Sequence, residues 1–207
     1  MPGDWTMSMA WMRMAGQTWP AFAASFLGMW ELMMVAMMLP SLLPVLWRYR
    51  GGTGRLTLMG LGYFLVWAVI GMAALLLGLA LTTIEMRHPS LSRAVPFLMG
   101  GGILAAGALQ FTGWKARQLA CCRESAAACV TPAWRHGVHS GLQCARCCGN
   151  LMAILLVTGV MDLRAMTLVT VAITAERILP DGERVARVTG VVIVGAGLFL
   201  IGRALLG

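Results

Sequence analysis

The residues best suited to chemistry in this sequence are the sulfur-bearing ones in the stretch GLQCARCCGNLM, residues 141–152. Cys144, Cys147 and Cys148 are spaced i, i+3 and i+4, so a helix would place all three thiols on one face. Met152 continues that face one turn further. Thiolate and thioether sulfurs are soft ligands that suit Cu(I) best, and thiolates also suit zinc. The spacing therefore predicts a soft-metal site, with copper as the favoured ion and zinc as the alternative.

Further candidate ligands precede this cluster. Cys121 and Cys122 offer two adjacent thiols, and His136 and His139 stand in the stretch WRHGVHSGLQC. On a continued helix neither histidine shares the sulfur face, and a histidine near a membrane surface is commonly just a polar tip in the headgroup region. Plain packing is the alternative interpretation of the cysteines, because a thiol fills space like a small hydrophobic group.

A second constellation lies in the first apolar segment, GMWELMMVAMMLPSLLP. Glu31, Met34 and Met38 follow helical spacing, so a carboxylate shares a face with two thioethers. A charge inside a membrane span requires a partner. We expect Glu31 to pair with Lys115, with Arg164 or with a bound cation, or else to be protonated. Ordinary packing of flexible methionines is the alternative for this segment.

Transmembrane helices are the elements expected to position these residues. The chain has 207 residues, of which 59% are hydrophobic and 12% charged, a composition that predicts one integral membrane domain over residues 1–207 in contact with the lipid bilayer. Its net charge is +8, but the Arg and Lys residues are scattered at the ends of apolar segments, which argues against nucleic-acid binding. The N-terminal stretch lacks the pattern of a signal peptide, so we expect the first apolar segment to remain as an anchor.

The apolar segments predict a polytopic all-α bundle. The clear spans are residues 21–47, 56–84, 94–114 and 188–206. The stretch 149–175 is read either as one helix, which gives five spans, or as two helices joined by a turn at Gly159 to Asp162, which gives six. The distribution of Arg and Lys favours six spans and places a Cys/His-rich polar loop, about residues 115–148, in the cytosol.

Small residues in the third span predict close helix packing. Gly101 with Ala105, and Gly102 with Ala106, are spaced four residues apart. In lipid, where packing drives helix association, such pairs let two backbones approach closely. The third span is therefore expected to be central.

Several motifs together resemble a bacterial family of unknown function described as predicted metal-binding integral membrane proteins. They are WELMMVAMMLPSLLP, GYFLVWAVIG, AGALQFTGWK, HGVHSGLQCARCC and GVMDLRAM, and the resemblance covers about residues 28–200. It implies metal binding in the bacterial inner membrane. The family's recurring positions fall on Glu31, Met37, Met38, Pro40, Gln110, Lys115, Cys122, Arg123, Gly141, Cys144, Cys147, Cys148, Met152, Met161, Asp162 and Glu176.

This chain departs from the family pattern at two positions. Gln118 stands where the family usually has a cysteine, and Gly149 stands where it usually has an aromatic residue. The first departure removes one thiol from the pattern, and Cys121 is the candidate replacement.

The predicted function is soft-metal homeostasis, storage or delivery, with exchange of the ion with a metal donor or acceptor protein. The sequence has no Ser-His-Asp arrangement, phosphate-binding glycine loop or paired-carboxylate motif, so catalysis is not expected. Two alternatives stay open. One is an accessory subunit of a larger membrane complex, or a homo-oligomer; the other is a membrane thiol-disulfide oxidoreductase that uses the C-x-x-C pair Cys144 and Cys147.

Overall fold

A computed structural model describes residues 16–48, 52–87, 95–124, 132–158, 163–179 and 181–206. This part of the chain is all helical, which confirms the predicted fold class. The helices are α1 (Trp19–Arg48), α2 (Thr53–Arg87), α3 (Val95–Leu109), α4 (Gly113–Glu124), α5 (Ala133–Thr158), α6 (Leu163–Ile178) and α7 (Gly182–Leu206).

Among the described residues, three helices are long and apolar enough to cross a membrane, over Trp19–Pro40 in α1, Thr53–Ile84 in α2 and Gly182–Arg203 in α7. A fourth span results if α3 and α4, which are bent by 65° at a short break, are counted as one. The prediction of six spans is therefore not supported. The reason is local, because α6 has only 16 residues and α5 begins with a polar half, whereas a hydrocarbon core requires about 20 apolar residues.

The stretch 149–175 forms two helices, as one of the two interpretations predicted. α5 ends at Thr158 and α6 begins at Leu163. Gly159 and Asp162 lie outside the described residues, so their roles in the turn stay predictions. The predicted polar loop at 115–148 lies mostly on α4 and α5, and residues 125–131 between them are outside the described part.

Glycines bring the backbones of α2 and α5 into direct contact. A Cβ atom on Gly137 would run into the carbonyl oxygen of Met59 and lie 2.9 Å from its carbonyl carbon. Four residues further along both helices, a Cβ on Gly141 would lie 3.0 Å from the backbone oxygen of Tyr63. The two helices therefore run in the same direction at a separation that only glycine permits, which is how small residues pack helices in membranes.

A second glycine contact joins α3 and α7, although not through the predicted pairs. Gly101 and Gly102 are exposed. A Cβ on Gly107 would instead lie 2.8 Å from the side chain of Val194, and one on Gly197 would lie 3.0 Å from that of Leu104. Small residues do mediate the packing of α3, but on a different face.

The buried core between α1, α2, α5 and α6 is rich in sulfur and aromatic side chains. Trp30 of α1 donates a hydrogen bond from its indole nitrogen to the backbone oxygen of Trp67 at 3.0 Å. Its ring lies against Gly71, where a Cβ would come within 2.7 Å of the indole nitrogen. The sulfur-bearing members of this core are Met33, Met34, Met37, Met38, Cys144, Cys147, Cys148 and Met152.

Candidate metal centre

The structure gathers sulfur atoms from two helices around Cys144. The Cys144 Sγ lies 3.9 Å from the Sγ of Cys148, one turn further along α5, and 3.8 Å from the Sδ of Met38 on α1. Cys144 and Met38 are fully buried, and Cys148 is buried almost completely. We call these three residues the sulfur centre.

These separations suit two ligands of one metal ion. A metal–thiolate bond is about 2.3 Å long, so an ion bonded to two sulfurs 3.9 Å apart subtends an angle of roughly 115°. The Cys144–Met38 separation of 3.8 Å corresponds to an angle of roughly 110°. Both angles lie between tetrahedral and trigonal values. Each sulfur pair therefore has the separation expected of two ligands of one ion.

Two polar groups from other helices point at the Cys144 sulfur. The Tyr63 hydroxyl of α2 donates to it at 3.0 Å, and the Nη1 of Arg177 on α6 donates at 3.2 Å. A hydroxyl and a guanidinium both stabilise a thiolate more than a thiol.

The two thiols of the centre have different proton affinities. The hydrogen bond from Cys148 lowers the pKa of Cys144 to about 7, with help from the Arg177 charge and the Tyr63 hydroxyl and against the effect of burial. The same hydrogen bond, a second one with Cys147, and burial raise the pKa of Cys148 well above its usual value. Cys144 is therefore the first of the pair to lose its proton as the pH rises, and Cys148 then donates to it.

Next to Cys147, a buried ion pair joins three helices. The Lys115 Nζ of α4 lies 2.9 Å from a carboxylate oxygen of Glu176 on α6 and donates to the backbone oxygen of Cys147 at 2.6 Å. Gln110 donates to the other oxygen of Glu176 at 2.8 Å. Lys115 and Glu176 are each only 1% exposed, so their charges neutralise each other inside the protein. This polar network fixes the turn of α5 that carries the thiols.

A cavity of about 60 Å³ lies beside this network. Gln110, Lys115, Glu183 and Arg187 are among its lining residues. The Gln110 Oε1 is buried without a hydrogen-bond partner in the described structure.

Glu31 does not pair with Lys115, which was one of its predicted partners. Lys115 pairs with Glu176 rather than with Glu31, because α4 packs against α5 and α6. The Oε1 of Glu31 is buried and has no hydrogen-bond partner among the described residues. Met34, on the same face of α1, is fully buried in the core.

The remaining predicted ligands are dispersed. Met152 is buried on the sulfur face of α5, and Cys121 is exposed on α4. The side chain of Cys122 lies outside the described residues. His136, two turns before Cys144, is buried, and burial followed by the nearby charge of His139 lowers its pKa.

Among the described residues, no group of three or more His, Cys, Asp and Glu side chains has the arrangement of a metal site. Within that part of the chain, none of Cys121, Cys144, Cys147 and Cys148 is joined in a disulfide. The sulfur centre thus consists of two thiols and one thioether, and the third thiol, Cys147, adjoins Cys148.

Tyr63 and Arg177 also contact this site, although neither was predicted from the sequence. Tyr63 is a polar side chain in an otherwise apolar span, where an unpaired hydroxyl is costly, and that was its only signal. Arg177 follows Glu176 near the end of α6, and nothing in its spacing connects it with Cys144.

The described residues form a helical protein whose buried core brings sulfur side chains from two helices together. Residues 27–200 match the PpoB2 family, which is described as copper chaperone, and the chain belongs to that family. The match confirms the predicted metal-binding class and supports copper as the metal handled. A search of curated proteins and a search of solved structures returned no match.

Proposed function

We propose that this protein is an integral membrane copper chaperone of the bacterial inner membrane. It binds Cu(I) at the sulfur centre and exchanges the ion with a donor or acceptor protein. The observation that carries the proposal is the position of the buried Cys144 sulfur, which lies at ligand separation from Cys148 and from Met38. Membership of the copper chaperone family supports the same conclusion.

The composition of the centre favours Cu(I) over zinc. Structural zinc sites are tetrahedral and draw four ligands from Cys, His, Asp and Glu. The described residues contain no such group, and the third donor of the sulfur centre is a thioether. Thiolate and thioether ligands together select Cu(I). When Cu(I) binds, each thiol that ligates the ion releases its proton to solvent, and the oxidation state of copper does not change.

A chaperone must also release its ion, and the neighbouring donors suit ligand exchange. Cys147 and Met152 are buried on the same face of α5 as the two thiols and offer alternative sulfur ligands. On α1, Met34 lies one turn before Met38, and Glu31 lies close to it in sequence, so soft and charged donors continue along that helix. We propose these residues as transient ligands.

The four remaining candidates belong to the ends of α4 and α5. His136 and His139 lie on the first turns of α5, before the thiols, and the adjacent cysteines Cys121 and Cys122 lie on the last turns of α4. We propose that they receive or pass on the ion at that end of the bundle. The basic residues of the adjoining segments favour a cytosolic location for this end.

Copper binding by the purified protein tests the proposal. The detergent-solubilised chain is titrated with Cu(I) under reducing conditions against a Cu(I) chelator. We expect the wild type to take up copper in preference to zinc, and C144S to lose most of this affinity because Cys144 contacts both other members of the centre. M72L is the control, because it removes an exposed sulfur of the same chain that has no role in the proposal.

Equal copper affinity of C144S and the wild type would contradict the proposed centre. Purification in mild detergent distinguishes the chaperone from the alternative role. A stable partner present in fixed stoichiometry would identify an accessory subunit of a larger complex.

A further inference from the structure

The charge of a loaded sulfur centre requires compensation. Two thiolates and one Cu(I) ion carry a net charge of −1, since the thioether of Met38 is neutral. Cys144, Cys148 and Met38 are at most 2% exposed, so water does not solvate that charge. An isolated charge in such surroundings is costly unless an opposite charge lies next to it.

The structure places one cation in contact with the centre. Arg177 Nη1 lies 3.2 Å from the Cys144 Sγ. The other buried cation nearby, Lys115, contacts Glu176 and the backbone oxygen of Cys147 instead. Arg177 is therefore the cation that the described structure places against the thiol of Cys144.

We propose that Arg177 is a positioning residue for Cu(I), whose guanidinium stabilises the anionic copper–dithiolate complex and thereby affects how tightly the ion is held. This inference rests on the proposed function. The guanidinium contacts the Cys144 sulfur directly, so its positive charge lies next to the negative charge of the loaded centre. Without that cation, the centre favours a state in which one sulfur remains a thiol and the ion is held by fewer anionic ligands.

Arginine suits this task better than lysine. A guanidinium is always charged, is more weakly hydrated than an ammonium and is less costly to bury beside an anion. Arg177 stands at the end of α6 and is half-buried, so its side chain reaches from the edge of the bundle to the thiol. The hydroxyl of Tyr63 contacts the same sulfur from α2.

Variants of Arg177 test the inference through copper affinity. We expect R177Q to bind Cu(I) about 10–100-fold more weakly than the wild type, the range typical for residues that support metal ligands without binding the metal. R177K keeps the charge and is expected to recover most of the loss. R146Q is the matched control, because Arg146 lies between the thiols in sequence but is exposed on the opposite side of α5. The thiolate-to-copper absorption band is also recorded for each variant. A change in its position indicates that Arg177 acts on the copper–thiolate complex, whereas a purely structural effect on an intact centre would leave its position unchanged.

The outcomes separate this inference from the proposed function. If the wild type binds no copper, the proposed function fails. If the wild type binds copper and R177Q binds as tightly as R146Q, or if R177K binds as weakly as R177Q while both are folded, the role of Arg177 is refuted. Should R177Q not fold, R177M replaces it, because methionine keeps the length of the side chain and adds no unpaired polar group to the core.

Discussion

Replacing Gly137 with alanine tests the contact on which the geometry of the centre depends. The new Cβ would lie 2.9 Å from the carbonyl carbon of Met59 and 3.0 Å from its Cα, and closer still to its oxygen. All three atoms belong to the backbone of α2, so no side-chain rotation relieves the overlap. The helices must separate by about 1 Å, and overpacking of this kind costs about 1–3 kcal/mol.

The separation has a local consequence at the thiol. The Tyr63 hydroxyl is 3.0 Å from the Cys144 Sγ, and a shift of about 1 Å lengthens that contact to near 4 Å, where the hydrogen bond is much weaker. G137A should therefore unfold at a lower temperature, by roughly 2–4 °C for each kcal/mol in a chain of this size. It should also bind copper more weakly. Thermal unfolding in detergent and Cu(I) competition measure the two effects.

Gly149 supplies the control on the same helix. A Cβ at Gly149 meets nothing within 4 Å, so G149A gains only helix propensity, about 0.5–1 kcal/mol. The two alanine variants are thus expected to change stability in opposite directions. If G137A proved as stable as G149A, the direct backbone contact between α2 and α5 would be disproved.

Two further variants test the polar groups around the centre. K115M leaves the buried Glu176 carboxylate without its ion-pair partner and should lower the free energy of unfolding by about 3–5 kcal/mol. The double variant K115M/E176Q should recover part of this loss. Equal stability of the two variants in chemical unfolding would argue against the ion pair. Y63F removes a hydrogen bond that favours the thiolate, so the pKa of Cys144 should rise from about 7. The ultraviolet absorbance of the thiolate should then appear at higher pH, and C144S, which lacks this transition, is the control. An unchanged midpoint would show that the Tyr63 hydroxyl does not act on the thiol.

The sulfur face of α5 was predictable because it depends only on spacing within one helix. Cys144, Cys147, Cys148 and Met152 are all buried, as the i, i+3, i+4 pattern indicates. The all-helical fold and the break between α5 and α6 follow from local signals of the same kind. The resemblance to a metal-binding family was likewise confirmed by the family match.

The sequence alone did not predict which helices meet. Met38 was grouped with Glu31 as a separate constellation, yet its thioether contacts Cys144, 106 residues away in sequence. Arg177 and Tyr63 approach the same thiol from two other helices, and no local pattern encodes such contacts. The prediction of six spans is not supported, because hydropathy and charge distribution do not distinguish a short helix from one that crosses the hydrocarbon core.

The backbone contact at Gly137 and Met59 has a mechanical consequence. With no side chain between them, α2 and α5 cannot slide or rotate past each other, so Tyr63 and Cys144 form a rigid unit. Met38 and Arg177 belong to α1 and α6 and reach this unit only through long, flexible side chains. If the sulfur centre holds an ion as proposed, withdrawal of α1 or α6 would admit or free it, while the thiol helix stays in place.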